Sequence, residues 1–153
     1  MEVEDFSPSD LEAVLEIETC SFRNPWGSKS FRNELSCKES LSLVMKGNEA
    51  DHRQTVVGYM CGRLIDDEIY ILKLAVLEDW RGCGVASRLL KEGLRRAAER
   101  NTVTAVLDVR LSNQPAIALY KKQGFQMIGV KPKYYSDTGE DALVMRKNLK
   151  EDL

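Results

Sequence analysis

The chain has 153 residues, 43% of them hydrophobic and 30% charged, which suits a single domain over 1–153 with one self-sufficient core. Its net charge of −2 excludes a dominant polyanion-binding surface, so no nucleic-acid partner is expected. An acidic start, no bilayer-length apolar run and four scattered cysteines without zinc spacing predict no membrane, no metal and a cytoplasmic protein.

A short strand is predicted at Val3 to Phe6. Ser7-Pro8-Ser9-Asp10 reads as a helix start: Ser7 caps, Pro8 suits the first helical position and Asp10 completes a capping box. Leu11, Val14, Leu15, Glu18 and Phe22 then recur at helical spacing, with Glu18 the one polar interruption. Asn24-Pro25-Trp26-Gly27 breaks this helix, and Ser28 can cap a second one that runs to Leu35. Leu41 to Met45 predicts a strand. Lys46 to Gln54 predicts a polar loop that holds the sole histidine, His52, a solvated residue with no assigned role. Thr55 to Ile65 predicts the next strand, turned by Asp66-Asp67 into the strand Ile69 to Val76. Ser87 to Arg100 is patterned as a helix, and the β-branched run Thr102 to Val109 as a buried strand. Gln114 to Lys122 predicts a short helix ended by Gly124. Phe125 to Val130 and Ala142 to Met145 are the last strands, joined by a loop from Lys131 to Asp141. Helices, a β-meander and then β-α-β-α-β-β describe an α/β chain with a mixed sheet of α+β character.

The most specific local pattern is Arg81-Gly82-Cys83-Gly84-Val85-Ala86, between a strand and a helix. The first turn of a helix leaves amides unpaired at the positive end of its dipole, a ready anion site. Gly82, Gly84 and Ala86 are small enough for a diphosphate to approach the backbone. The loop therefore predicts a pyrophosphate-bearing cofactor. A dinucleotide fold would want a third glycine in the first βα turn, which is absent here, and antiparallel strands precede the loop. A nucleotide P-loop is excluded because no Gly-Lys-Ser/Thr follows. Cys83 is the one thiol that this loop would expose, so a redox role stands beside a plain loop position.

Written as Arg/Gln-x-x-Gly-x-Gly/Ala, the loop resembles the acetyl-CoA pyrophosphate loop of the GNAT acyltransferases. Leu74-Ala75-Val76, Glu78-Asp79-Trp80, Asn113, Ala116, Leu119-Tyr120 and Gly124-Phe125 stand where that family has them, and the resemblance covers residues 3 to 147. Three segments are similar to the RimI-type ribosomal-protein alanine N-acetyltransferases and the archaeal protein N-terminal acetyltransferases. They are Asn24-Pro25-Trp26, Leu107 to Asn113, and Tyr134-Tyr135-Ser136-Asp137 with Glu140-Asp141-Ala142. The resemblance implies the acyl-CoA N-acyltransferase fold, a central mixed β-sheet flanked by helices. It implies acetyl-CoA as co-substrate and a protein or peptide N-terminus as acceptor. That acceptor would be an alanine-type terminus, of a small-subunit ribosomal protein, modified by a monomer or weak dimer. A GNAT enzyme for a lysine or small amine and a non-catalytic CoA-binding module are the alternatives.

The same resemblance suggests roles. Backbone amides of Gly82, Cys83, Gly84, Val85, Ala86 and Ser87 would take the pyrophosphate, and Arg81 belongs to the same cofactor-binding loop. Leu74, Ala75 and Val76 would pair their edge with the pantetheine amides, as an added strand does; the triplet also reads as strand core. Asn113 would add a side-chain hydrogen bond, or merely cap the helix from Gln114. Tyr120 would be the general acid for the leaving thiolate, or a tyrosine packed on the sheet. Asp108 would be the general base where RimI-type enzymes carry glutamate, or a strand-end carboxylate paired with Arg110 or Lys121. Pro25 and Trp26 on one side and Tyr134 and Tyr135 on the other would flank the peptide, with Trp26 also readable as a hydrophobic plug. Glu18 and Glu140 could attract a basic tail. An α-amine of pKa ~8 is about a tenth neutral at pH 7, a lysine less than about one part in a thousand, so a weak base suffices better for an N-terminus.

Overall fold

The structure, a computed structural model, describes residues 1–48 and 54–152, so His52 and the tip of the predicted Lys46–Gln54 loop lie outside the described residues. Its strands are β1 (Glu2–Asp5), β2 (Ser40–Asn48), β3 (Gln54–Ile65), β4 (Glu68–Val76), β5 (Thr104–Arg110), β6 (Gln126–Tyr135) and β7 (Glu140–Asn148). The helices are α1 (Leu11–Ser21), α2 (Ser28–Ser36), α3 (Val85–Glu99) and α4 (Gln114–Lys122). The strands form one seven-stranded sheet in the order β1-β2-β3-β4-β5-β7-β6. Only β4 and β5 run parallel; the other neighbours are antiparallel. This is the expected mixed sheet flanked by helices. No helix among the described residues is long and apolar enough to cross a membrane.

Side-chain alternation divides the core between the two faces of the sheet. Leu43, Met45 and Met60 cluster with Leu89 and Leu90 of α3. Val44, Tyr59 and Cys61 cluster instead with Val14 and Ile17 of α1 and Phe31 of α2. Successive residues of a strand face opposite ways, so strands covered on both faces read as continuous apolar runs. Gly58 sets how closely α3 approaches. A Cβ there would lie 2.8 Å from Val85 Cγ1 and 3.1 Å from Leu89 Cδ1, so only glycine lets the first turn of α3 rest on β3.

Local signals misplace some element ends. Pro8–Asp10 form a 3-10 turn, in which the Asp10 carboxylate accepts the Ser7 N–H at 3.0 Å, and the α-helix begins at Leu11. The N-cap of α2 is Gly27, with Ser28 already inside the helix. Lys46, Gly47 and Asn48 continue β2 rather than open a loop, because they pair with Val56, Thr55 and Gln54. Lys131 to Tyr135 likewise belong to β6, with Lys131 opposite Ala142 and Tyr135 opposite Glu140. A partner strand satisfies the backbone of polar residues as well as that of apolar ones.

The feature that positions the site is a break in the sheet. β4 and β5 pair only from Glu68↔Thr104 to Ile71↔Leu107. On the other side of β4, Cys61 pairs with Lys73 and Gly62 with Ile71, which leaves Leu72 as the extra residue of a β-bulge. A bulge bends its strand and sharpens the twist. Beyond Leu72, β4 stays with β3 while Asp108–Arg110 stay with β7, and no cross-strand pair joins the two. The sheet opens there like a V.

Candidate active site

At the mouth of the V lies the glycine turn. Gly82 (φ +78°) and Gly84 (φ +82°) occupy the left-handed region, and a Cβ on either would meet nothing within 4 Å. They are needed for backbone conformation and open approach, not for packing. Gly84 is the N-cap of α3, and its carbonyl accepts the Arg88 N–H at 3.1 Å. The amides of Val85, Ala86 and Ser87 stand in the helix's first turn, where no carbonyl one turn back can accept them. The Arg81 side chain points back: Nε donates to the Val76 carbonyl at 3.2 Å and the guanidinium reaches Ser21 Oγ at 3.4 Å. It ties the loop to β4 and α1. Cys83 is exposed. Ala75 and Val76 are buried and Leu74 is half-buried, so the triplet is core and unpaired edge at once.

A cavity of about 610 Å³ runs along the opening, lined by Leu72, Lys73 and Leu74 on one side and Asp108, Val109 and Arg110 on the other. Tyr120 and Asn113 line it too. Tyr120 is buried with its ring edge-on to Phe125 at 5.7 Å. Burial, and then the nearby Tyr135, push its phenol up to about 12, so it stays a proton donor through the neutral range. Asn113 caps α4, its Oδ1 accepting the Ala116 N–H at 3.3 Å, and also faces the cavity. Asp108 is half-buried and its Oδ2 accepts from Lys131 Nζ at 2.9 Å. Its ion-pair partner is thus neither Arg110 nor Lys121. Lys131 and Arg110 both pair with Ala142 of β7, one from each side, a relation that only the sheet creates.

The far end is walled by side-chain pairs. Arg110 forks onto Asp137 at 2.9 and 3.1 Å, and its guanidinium carbon lies 4.0 Å from the centre of the Tyr135 ring. It also reaches Glu140 at 3.5 Å, while Glu140 accepts the Ser112 N–H at 2.6 Å. The Arg110 fork holds the Asp137 carboxyl below its usual range, and the Ser112 hydrogen bonds do the same for Glu140. Glu140 therefore belongs to a latch that fastens the β6–β7 turn to the end of β5.

Of the four residues expected to flank the peptide, Tyr135 lines the cavity, while Pro25, Trp26 and Tyr134 stand outside its lining. Trp26 packs edge-on against Phe31 at 5.2 Å, as a plug would. Tyr134 is half exposed against Tyr135. The wall on that side is Ser21, Phe22, Arg23 and Asn24. Behind it, Glu18 is fully buried and cannot attract a tail from solvent. It accepts the Tyr59 hydroxyl, the Trp26 N–H at 2.8 Å and Lys73 Nζ at 2.8 Å. Sequence reasoning passed over Lys73, although a lone charge in the apolar run Ile69–Val76 is a signal, because a buried charge needs a partner. Leu72 carries no comparable signal.

A model of the Acetyltransferase (GNAT) family matches residues 11–125. The chain belongs to the GNAT acetyltransferase family. It is an acetyl-CoA-dependent N-acetyltransferase. This GNAT chain is 33% identical over 142 residues to the putative [ribosomal protein bS18]-alanine N-acetyltransferase of Bacillus subtilis, covering 93% of this chain and 91% of that protein. Its fold matches the ribosomal-protein-S18-alanine N-acetyltransferase from Escherichia coli with a TM-score of 0.86 at 27% identity, over 97% of this chain and 93% of that one. Ard1 from Thermoplasma volcanium matches with a TM-score of 0.83 at 29% identity, over 96% of each chain.

Proposed function

We propose that this GNAT enzyme transfers the acetyl group of acetyl-CoA to the N-terminal α-amine of a protein with an alanine-type terminus, a ribosomal protein being the leading candidate. One observation carries the chemistry: the β4 edge at Leu74, which has no partner on the β5 side, the Tyr120 phenol and the Asp108 carboxylate line one cavity. The named bS18-alanine enzymes it resembles support the choice of acceptor.

The residues present fit an acyl-CoA. The unpaired edge of Leu74–Val76 suits two amides in an extended arm, and the turn from Gly82 to Ser87 suits a pyrophosphate. Arg81 shapes that turn, and Asn113 borders the arm. Acetyl-CoA supplies the activated thioester. Asp108 takes the proton from the attacking amine, and Tyr120 gives its hydroxyl proton to the departing sulfur. Lys131 Nζ, 2.9 Å from Oδ2, holds the Asp108 carboxylate in place, and a carboxylate is a weak base. An α-amine, about a tenth neutral at pH 7, needs no stronger one. Tyr135, steadied by Arg110, borders the peptide, with Pro25, Trp26 and Tyr134 supporting the two walls.

A peptide with a free N-terminal alanine and one internal lysine, incubated with acetyl-CoA and read by tandem mass spectrometry, tests the assignment. Acetyl on the α-amine is expected, with Asp108→Ala about a hundredfold slower. Acetyl on the lysine alone would overturn the acceptor.

A further inference from the structure

We propose that Lys73 reads the first side chain of the peptide and favours a hydroxyl-bearing residue, serine or threonine, over alanine. This rests on the N-terminal acetylation reading and refines its acceptor: among the small first residues of the alanine type, Lys73 ranks those with a hydroxyl above alanine itself, which is still acetylated. Lys73 lies next to the bulge that opens the sheet, and its side chain is only 11% exposed while lining the cavity. An ammonium has three N–H donors. One of them meets Glu18 Oε2 at 2.8 Å. Otherwise the nitrogen faces rings: it is 4.0 Å from the centre of Phe22 and 5.1 Å from that of Trp26. Ring faces stabilise the charge but are not oxygen acceptors. Among the described residues, a nearly buried ammonium thus keeps donor capacity beside a cavity. A buried donor without an acceptor is costly, and a group that enters with an acceptor removes the cost.

The charge balance decides which acceptor. Glu18, fully buried, already matches the Lys73 charge. A carboxylate on the substrate would enter beside that second negative charge, and like charges at low dielectric repel strongly. A lysine or arginine in first position would be repelled by Lys73 itself. A hydroxyl accepts a charge-assisted hydrogen bond and brings no charge. Glu18 is itself fixed by Tyr59 and the Trp26 N–H, so the ammonium is held in place.

The test compares kcat/KM for peptides identical except at the first residue: serine, alanine, glutamate and 2-aminobutyrate, which carries a methyl where serine has its hydroxyl. The wild type is expected to favour serine over both alanine and 2-aminobutyrate by about tenfold, with glutamate below serine. The double variant Lys73→Met, Glu18→Gln removes both charges together and leaves Trp26 an acceptor, so no buried charge stands alone. Its serine-to-alanine ratio is expected to fall to about one. If the variant does not fold, the wild-type pair of serine and 2-aminobutyrate decides alone. Equal rates for that pair, with alanine acetylated, would overturn the Lys73 proposal and leave the N-terminal assignment standing. An unchanged serine-to-alanine ratio in the folded double variant would also overturn it. Failure to acetylate any peptide N-terminus would overturn both.

Discussion

In the region proposed for acetyl-CoA the parts on offer are backbone: two glycines with positive φ, the first amides of α3 and the edge of β4. At the other end they are side chains drawn from α1, β3, β4, β5 and the β6–β7 turn, joined as Tyr59–Glu18–Lys73 and Asp137–Arg110–Glu140. The difference fits what each end would hold. A pyrophosphate and an extended amide arm present the same groups every time, so fixed amides suffice. A peptide varies, and selectivity among peptides has to come from side chains of particular shape and charge. Changes of backbone conformation should therefore harm the first end, and changes of side-chain chemistry the second.

The largest effect is expected where the ends meet. Tyr120→Phe should lower kcat by about a hundredfold or more, while acetyl-CoA binding by calorimetry stays as in the wild type. Next, Gly84→Ala keeps every side-chain partner but forces alanine to φ +82°, and since its Cβ meets nothing within 4 Å the cost is conformational. A left-handed residue costs about 1–2 kcal/mol, so the KM for acetyl-CoA should rise about tenfold with the peptide KM unmoved. A peptide KM that rose equally would erase the contrast between the ends. Arg110→Lys should do the reverse. Lysine keeps the charge but loses the fork on Asp137 and the stacking on Tyr135, so the peptide KM should rise by about fivefold and the acetyl-CoA KM should hold.

The smallest effect concerns pH. Asp137 and Glu140 are held below their ordinary values in the folded chain. Their contribution is complete above the unfolded values of about 4 and is lost as pH falls through the lowered ones. Peptide KM, measured against pH, should show no break from the latch between neutrality and about pH 4.

The glycine loop was legible because its chemistry lies in consecutive residues whose types have few other uses. The same holds for Asn113 to Phe125, where cap, helix, tyrosine and terminating glycine follow at short range. The polar half of the site was not legible in the same way. Asp108 was visible as a carboxylate, yet Lys131, its partner, sat in a predicted loop that proves to be β6. Glu18 and Lys73 were visible only as two separate polar interruptions. Nothing local says that residues 55 positions apart will meet at 2.8 Å.

By itself the sequence determined the kinds of elements and the glycine turn, because periodicity, caps and φ preferences act within a few residues. Tertiary structure alone decided where the sheet opens. Leu72 is one apolar residue among several, and it becomes a bulge only through the register that β4 takes against β3. The pairing of charges was decided there too. A buried ion pair depends on which strands lie side by side, and strand order is a property of the folded chain.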